Sequence, residues 1–305
     1  MRGLGHDKAF FLSFLPAAII LGGILLIFLM ALFNSSFEAF RVFGPELFFR
    51  NMWNPEKEIY GVAGPVLGTF VTSFLAVVVA LFFSIPLSIF LHEFLRGRIK
   101  EVMSSIIELM GGIPTIVYAI WSMNYLTAFL KTNVIQPLYS YLGFIPLFSC
   151  NPASNFSVFT ASVAIGISLT PYVTSIIVES YRLIPLMYRE ACLGIGATRY
   201  ETVRMMLSLA RPAILAAAIL GFARAAGETT IAVSTIGNAI LITPCLFAPG
   251  STVSALIASQ YANAGLYLYA SSVLHASALI VLVVTLILSF AGLRILEKWR
   301  VRVVA

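Results

Sequence analysis

Arg189-Glu190-Ala191-Cys192-Leu193-Gly194-Ile195-Gly196-Ala197-Thr198-Arg199-Tyr200 is a small-residue segment with charges at both ends, set between two long apolar runs. Ala191, Gly194, Gly196 and Ala197 let a partner's backbone approach closely, while Arg189, Glu190 and Arg199 hold the segment in water. It reads as a handle that a membrane-embedded chain offers to a soluble partner. Gly196 is expected to break a first short helix. Thr198 is placed to cap a second one from about Arg199, with Glu201 completing the cap. The alternative reading is an ordinary solvated turn between helices.

The flanking runs settle the class. Of 305 residues, 60% are hydrophobic and 10% charged, against roughly 25% charged in a soluble domain. A span needs about 20 apolar residues, and six candidates occur, at about 10–32, 63–91, 103–130, 156–181, 207–242 and 266–293. The run 10–32 is longer than the apolar region of a signal peptide and has no clear small-x-small cleavage site, so it is expected to be a retained span. The chain is therefore expected to be an all-α integral membrane protein with six transmembrane helices and both termini on one side.

Basic residues choose that side. Two precede the first span, three lie at Arg96, Arg98 and Lys100, five run from Arg182 to Arg211, and four follow the last span. The opposite loops hold Arg41, Arg50, Lys57 and Lys131, balanced by Glu38, Glu46, Glu56 and Glu58. The positive-inside rule then puts both termini in the cytoplasm. The net charge of +6 follows from this asymmetry, since the basic residues sit in short loops facing an anionic leaflet; with no contiguous basic stripe, no nucleic acid is expected as a partner.

Pro86, Gly111-Gly112-Ile113-Pro114 and Thr170-Pro171 mark expected kinks in the second, third and fourth spans. From Thr229 to Leu293 there is no Asp, Glu, Lys or Arg, yet Pro244, Pro249 and Gly250 interrupt the run, so it holds an outer loop. Residues 251–261 suit a short helix that dips back or lies on the surface, with Ser254, Ser259 and Gln260 toward water or the route.

Arg224 and Glu228 stand near the middle of the expected fifth span, one helical turn apart. An arginine at the bilayer centre costs about 2.5–3.5 kcal/mol even on the lenient insertion scale, so it needs a partner or a wet cavity. Either the two form an internal ion pair that merely lets the helix insert, or Arg224 contacts an anion in passage while Glu228 keeps that contact loose. Gly227, Thr229 and Thr230 read first as packing residues. Glu108, Glu179 and His275 are weaker candidates, the first two near span ends and the last a hydrogen-bonded packing residue.

At this point the chain resembles the permease subunits of ABC transporters, whose cytoplasmic loop carries an E-A-A-x3-G pattern gripped by an ATPase. Glu190, Ala191 and Gly196 match it; Cys192 replaces the second alanine. The usual Leu-Pro exit reads Ser208-Leu209, with Pro212 three residues on. Gly112-Ile113-Pro114-Thr115-Ile116-Val117-Tyr118, Arg224-Ala225-Ala226-Gly227-Glu228-Thr229, Ile236-Gly237-Asn238 and Phe247-Ala248-Pro249-Gly250 narrow the likeness to phosphate permeases, over about 64–296.

The resemblance implies a type I ABC importer permease fold in the cell membrane of a prokaryote. Residues 1–62 form the first helix and an outer loop, 63–296 the permease core with a coupling loop at about 185–207, and 297–305 a cytoplasmic tail. It implies inorganic phosphate as substrate, with Arg224 and Glu228 on the path and Glu190, Ala191, Cys192, Gly196 and Ala197 at the ATPase contact. The implied partners are a sister permease, two ATP-binding subunits and an external phosphate-binding protein. Permeation of another oxyanion, sulfate or molybdate, or an ion-coupled secondary transporter, are the alternatives.

Cys150 and Cys245 fall in two outer loops, where oxidation is permitted, and are candidates for a disulfide; Cys192 lies in the docking loop. No Lys follows a Gly anywhere, so no phosphate-binding G-x4-G-K loop exists. There is no HExxH, G-x-S-x-G or CxxC either, and neither a metal site nor a cofactor is expected. The chain is read as a permease without enzymatic activity of its own.

Overall fold

A backbone in hydrocarbon has to satisfy its own N–H and C=O groups, and apolar runs of this length do so as helices. The computed structural model describes residues 3–240 and 242–304, with side chains for 14–240 and 242–301. Arg2, Leu241, and the side chains of Lys8, of 10–13 at the start of the expected first span, and of Arg302 in the expected tail lie outside the described residues.

In chain order the helices are α1 (Gly3–Phe43), α2 (Ala63–Ile89), α3 (Gly97–Gly112), α4 (Thr115–Leu142) and α5 (Val158–Arg182). They are followed by α6 (Leu186–Gly194), α7 (Arg199–Ala226), α8 (Thr230–Thr235), α9 (Val253–Ala264) and α10 (Ala270–Val304). Among the described residues there is no strand. α1, α2, α5, α7 and α10 are long and apolar enough to cross a membrane, and α3 with α4 add a sixth crossing if the bent pair counts as one.

Two of the six expected spans need correction. The third, expected as one run over 103–130, is two helices meeting at 87°. Pro114 has no N–H to give and pushes Ile113 into an extended conformation (ψ 128°), so α3 stops at Gly112 and α4 restarts at Thr115. The fifth, expected over 207–242, starts earlier and ends at Ala226, where Gly227 is the C-cap; α8 and a loop follow. The short helix expected over 251–261 is α9, whose N-cap Thr252 accepts the Ala255 N–H at 3.1 Å.

α2 and α5 form the centre of the bundle. Small residues let them close in: a Cβ on Gly166 would lie 2.7 Å from Val79 and 2.8 Å from the Ala76 carbonyl oxygen. Hydroxyls then bridge the seam, with Ser84 donating to the Thr170 carbonyl at 3.0 Å, as small polar residues do between membrane helices. Ala76, Ala80, Ile165, Leu169, Val173 and Ala217 continue this core into α7.

The two ends of the bundle are closed differently. At one end, Tyr60 is buried against Phe43 and Trp53 and donates its hydroxyl to the Leu268 carbonyl at 2.7 Å. Burial, with Glu58 adding to it, pushes the Tyr60 phenol pKa up. Near that end Cys150 and Cys245 are joined in a disulfide, Cα–Cα 6.1 Å, and Phe247 packs between Phe148 and Phe159. At the other end Trp299 of α10 donates to the Leu209 carbonyl of α7 at 2.7 Å.

Gly166→Val is expected to cost at least the about 1–3 kcal/mol typical of overpacking, because one of the atoms in the way is backbone. Gly22→Ala, where nothing stands within 4 Å of the added carbon, is the control. Thermal unfolding of the detergent-purified subunit should show a clear loss for the first and none for the second.

Candidate functional site

Arg224 sits in the last turn of α7, and its guanidinium lies over the Tyr172 ring of α5, 4.6 Å from the centroid. Glu228 is beyond the helix end. The expectation that the two share one helical face is therefore corrected: Gly227 ends α7 between them, and among the described residues no ion pair joins Arg224 to a carboxylate. Glu228 turns toward α8, where Oε1 accepts the Ile231 N–H at a long 3.5 Å, while its carbonyl accepts the Ser254 hydroxyl of α9 at 2.9 Å.

Both residues nevertheless line one cleft, with Gly111, Thr115, Tyr118 and Ser168. The two helix breaks thus meet: the Gly111–Pro114 corner faces the Ala226–Thr230 corner. Interrupted backbone at membrane depth is tolerated only where it is buried in protein or lines a cavity. The lining carries a cation, a carboxylate and three hydroxyl side chains, of which Tyr118 and Ser168 donate to the Met110 and Ile165 carbonyls.

The motifs Ile236-Gly237-Asn238 and Phe247-Ala248-Pro249-Gly250 come together in space. Gly250 N–H donates to the Ile236 carbonyl at 3.0 Å, and Ala239 N–H returns to the Gly250 carbonyl at 2.9 Å. Gly237 has φ +92°, and a Cβ there would lie 2.8 Å from the Pro249 Cβ, so glycine is required. These segments close the chain beyond α8, while the break after α7 is tied to α9 by the Ser254 hydroxyl on the Glu228 carbonyl.

The docking segment folds as its residues dictate. α6 ends at Gly194, Gly196 takes φ +83°, and Ala197 N–H donates to the Cys192 carbonyl at 3.0 Å. Thr198 and Glu201 form a reciprocal capping box that starts α7. The Ser208-Leu209 exit and displaced Pro212 do not interrupt that helix. Glu190, Ala191 and Gly196 are exposed and Ala197 is half-buried, but Cys192 is buried among Tyr181, Ile184 and Met206 and packs the loop onto the bundle. Ile195 (83% exposed) and Tyr200 (74%) stand out beside Leu186, Met187 and Leu193, an apolar knob on a charged stalk.

Sequence reasoning missed the residue beneath this knob. α2 ends in a π turn, Phe90–Phe94, that carries Glu93, whose side chain is only 1% exposed. Arg189 of α6 pairs with its Oε2 at 2.8 Å, and the Tyr181 hydroxyl of α5 donates to Oε1 at 3.2 Å. The Arg199 guanidinium, at the start of α7, donates to the Glu93 carbonyl and lies 4.3 Å from the Phe94 ring centroid. His92 stands beside the carboxylate at 3.7 Å. A carboxylate inside Phe90-Leu91-His92-Glu93-Phe94, at the end of an apolar run, was the available signal, since it requires a cation.

His275 Nδ1–H donates to the Ser271 carbonyl of its own helix at 2.6 Å. Glu179 pairs with Arg182 at 2.7 Å. Among the described residues no cluster of His, Cys, Asp or Glu suits a metal ion.

A helical bundle with broken spans around a polar cleft, and a capped helix pair projecting from one end, defines the membrane permease of an ABC importer. Two inward-facing structures of the MetNI methionine ABC transporter share the fold: one aligns with TM-score 0.55 over 78% of this chain and 95% of its own at 17% identity, the other with 0.52 over 81% and 99% at 18%. No protein-family model matches the chain. It is 39% identical over 94% of its length to the probable phosphate transport system permease protein PstC of Methanocaldococcus jannaschii, covering 92% of that protein. It is 33% identical over 90% of its length to the PstC of Mesorhizobium japonicum, covering 84%. The chain belongs to the PstC family of phosphate transport system permeases.

Thr198→Ala removes one half of the capping box and should cost about 1 kcal/mol of local helix stability. Hydrogen exchange at residues 199–202 is expected to accelerate, with the centre of α7 unchanged.

Proposed function

We propose that this chain is one of the two permease subunits of an ATP-driven importer of inorganic phosphate in a prokaryotic cell membrane. Its partners in this reading are a sister permease, two ATP-binding subunits and an external phosphate-binding protein. The docking end with its basic loops faces the cytoplasm, in keeping with the positive-inside rule, and the disulfide end faces outward, in keeping with where disulfides persist. The named function of the relatives from Methanocaldococcus jannaschii and Mesorhizobium japonicum supports phosphate as the substrate.

The observation that carries the reading within the molecule is Arg224: a cation at the end of an apolar helix, exposed on this chain at the mouth of a small cleft, resting on an aromatic face and not on a carboxylate. Phosphate carries one to two negative charges and several acceptor oxygens, which a guanidinium fork suits. Glu228, in the same cleft, limits the depth of that attraction, as passage requires. Glu190, Ala191, Gly196 and Ala197 with the exposed Ile195 and Tyr200 form the ATPase contact, and ATP is hydrolysed on the partner. Closure of the ATPase pair shifts this loop and rocks the helices about the cleft.

Arg224→Gln in the complete importer, reconstituted in liposomes with its binding protein, should lower phosphate uptake about 10- to 100-fold, the scale of a charged hydrogen bond, without loss of subunit assembly. Uptake at the wild-type rate would remove Arg224 from the path. Competition by sulfate or molybdate at the concentration that phosphate requires would change the substrate.

A further inference from the structure

We propose that Glu93 is the positioning residue that ties the docking loop to the membrane helices, so that movement imposed on the loop reaches α2 and α5. The inference rests on the importer reading above. It starts from convergence: the last turn of α2, the end of α5, α6 and the first turn of α7 all meet at this one residue, through Arg189, Tyr181 and Arg199.

Three features set this contact apart from ordinary packing. First, both arms of the docking loop grip the same turn, Arg189 through the carboxylate and Arg199 through the carbonyl. Pulling on either arm therefore loads α2. Second, that carbonyl belongs to a π turn at a helix end, where it has no partner within its own helix. The turn is shaped to accept a partner from outside. Third, the rest of the loop's anchorage is apolar, Cys192 against Ile184 and Met206, and apolar surfaces slide over each other at little cost. The Arg189–Glu93 ion pair, 2.8 Å long on a buried carboxylate, sets the distance of the loop from α2 by charge and not by a hydrogen bond, and Arg189 is still 28% exposed, so the loop end of the pair remains able to move.

Replacing the carboxylate by an amide keeps the shape and removes the charge. In the reconstituted importer, Glu93→Gln is expected to retain assembly and binding-protein-stimulated ATP hydrolysis while phosphate carried per ATP falls about tenfold. Arg189→Gln should give the same ratio. The double variant should be no worse than either single one, the mark of a shared link; additive losses would overturn it. Glu93→Asp, one methylene short, should recover part of the ratio. If Glu93→Gln does not assemble, Arg189→Gln and Glu93→Asp carry the same comparison.

A second readout does not use transport. ATP binding to the complex should change hydrogen exchange at Phe94 and Leu95 in the wild type and no longer do so in Glu93→Gln. If the wild type carries no phosphate but this change is still abolished by the variant, the importer reading falls and the link stands. If phosphate is carried and the variant leaves both the exchange response and the transport ratio intact, or lowers hydrolysis and uptake in proportion, Glu93 is a packing residue and the proposal is wrong.

Discussion

Hydrocarbon supplies no hydrogen-bond partners, and that single constraint orders the molecule. Wherever the backbone is regular, the helices satisfy themselves and side chains decide only which faces meet. Wherever it breaks, at Ile113 and after Ala226, the freed groups have to be covered by protein or line a cavity. The chain brings both breaks to one cleft, with Gly111–Pro114 left exposed on this chain, and ties the second break to α9 through the Ser254 hydroxyl, which donates to the Glu228 carbonyl. The polar cleft is where the helices stop, and there Arg224, exposed on this chain, rests on the Tyr172 ring.

Much of this was legible because the signals were local. Gly196 and the Thr198–Glu201 cap act over three or four residues, and the loop folds as they require. The Gly-Gly-Ile-Pro kink was legible as well, although its size was not: a proline forbids a helical neighbour, but an 87° corner also depends on what α3 and α4 pack against. The fifth span was read too long because Thr229 to Ile242 is apolar enough to continue it. Hydropathy does not register that Gly227 ends the helix, and the assumed i, i+4 register of Arg224 and Glu228 fell with it. Glu93 was missed for the opposite reason, since its three partners lie 88 to 106 residues away along the chain and only the folded bundle brings them together.

One helix joins the two sites. α7 begins at Arg199, beside Glu93, and ends two residues after Arg224; its 28 residues rise about 42 Å. The helix packs closely on α5 at Gly221 and on α10 at Gly292, and Pro212 in its interior removes one i→i−4 hydrogen bond along the way. The docking loop and the cleft therefore lie at the two ends of one helix whose place to bend is set by Pro212.

The resting position of Arg224 bears on how such a site could work. A guanidinium paired with Glu228 would have to be separated from a carboxylate before it met an anion, and the entering anion would meet a neutral pair. Over Tyr172 it is held by a cation–π contact of about 0.5–2 kcal/mol, which leaves its charge uncompensated and its N–H groups available. In the proposed reading Glu228, tied to the start of α8 through its carboxylate and to α9 through its carbonyl, would weaken a bound anion from the same cleft without cancelling the arginine. Breaking α7 at Gly227 is what separates the two charges. In a continuous helix they would sit one turn apart and neutralise each other, so the helix end is itself part of the chemistry of the cleft.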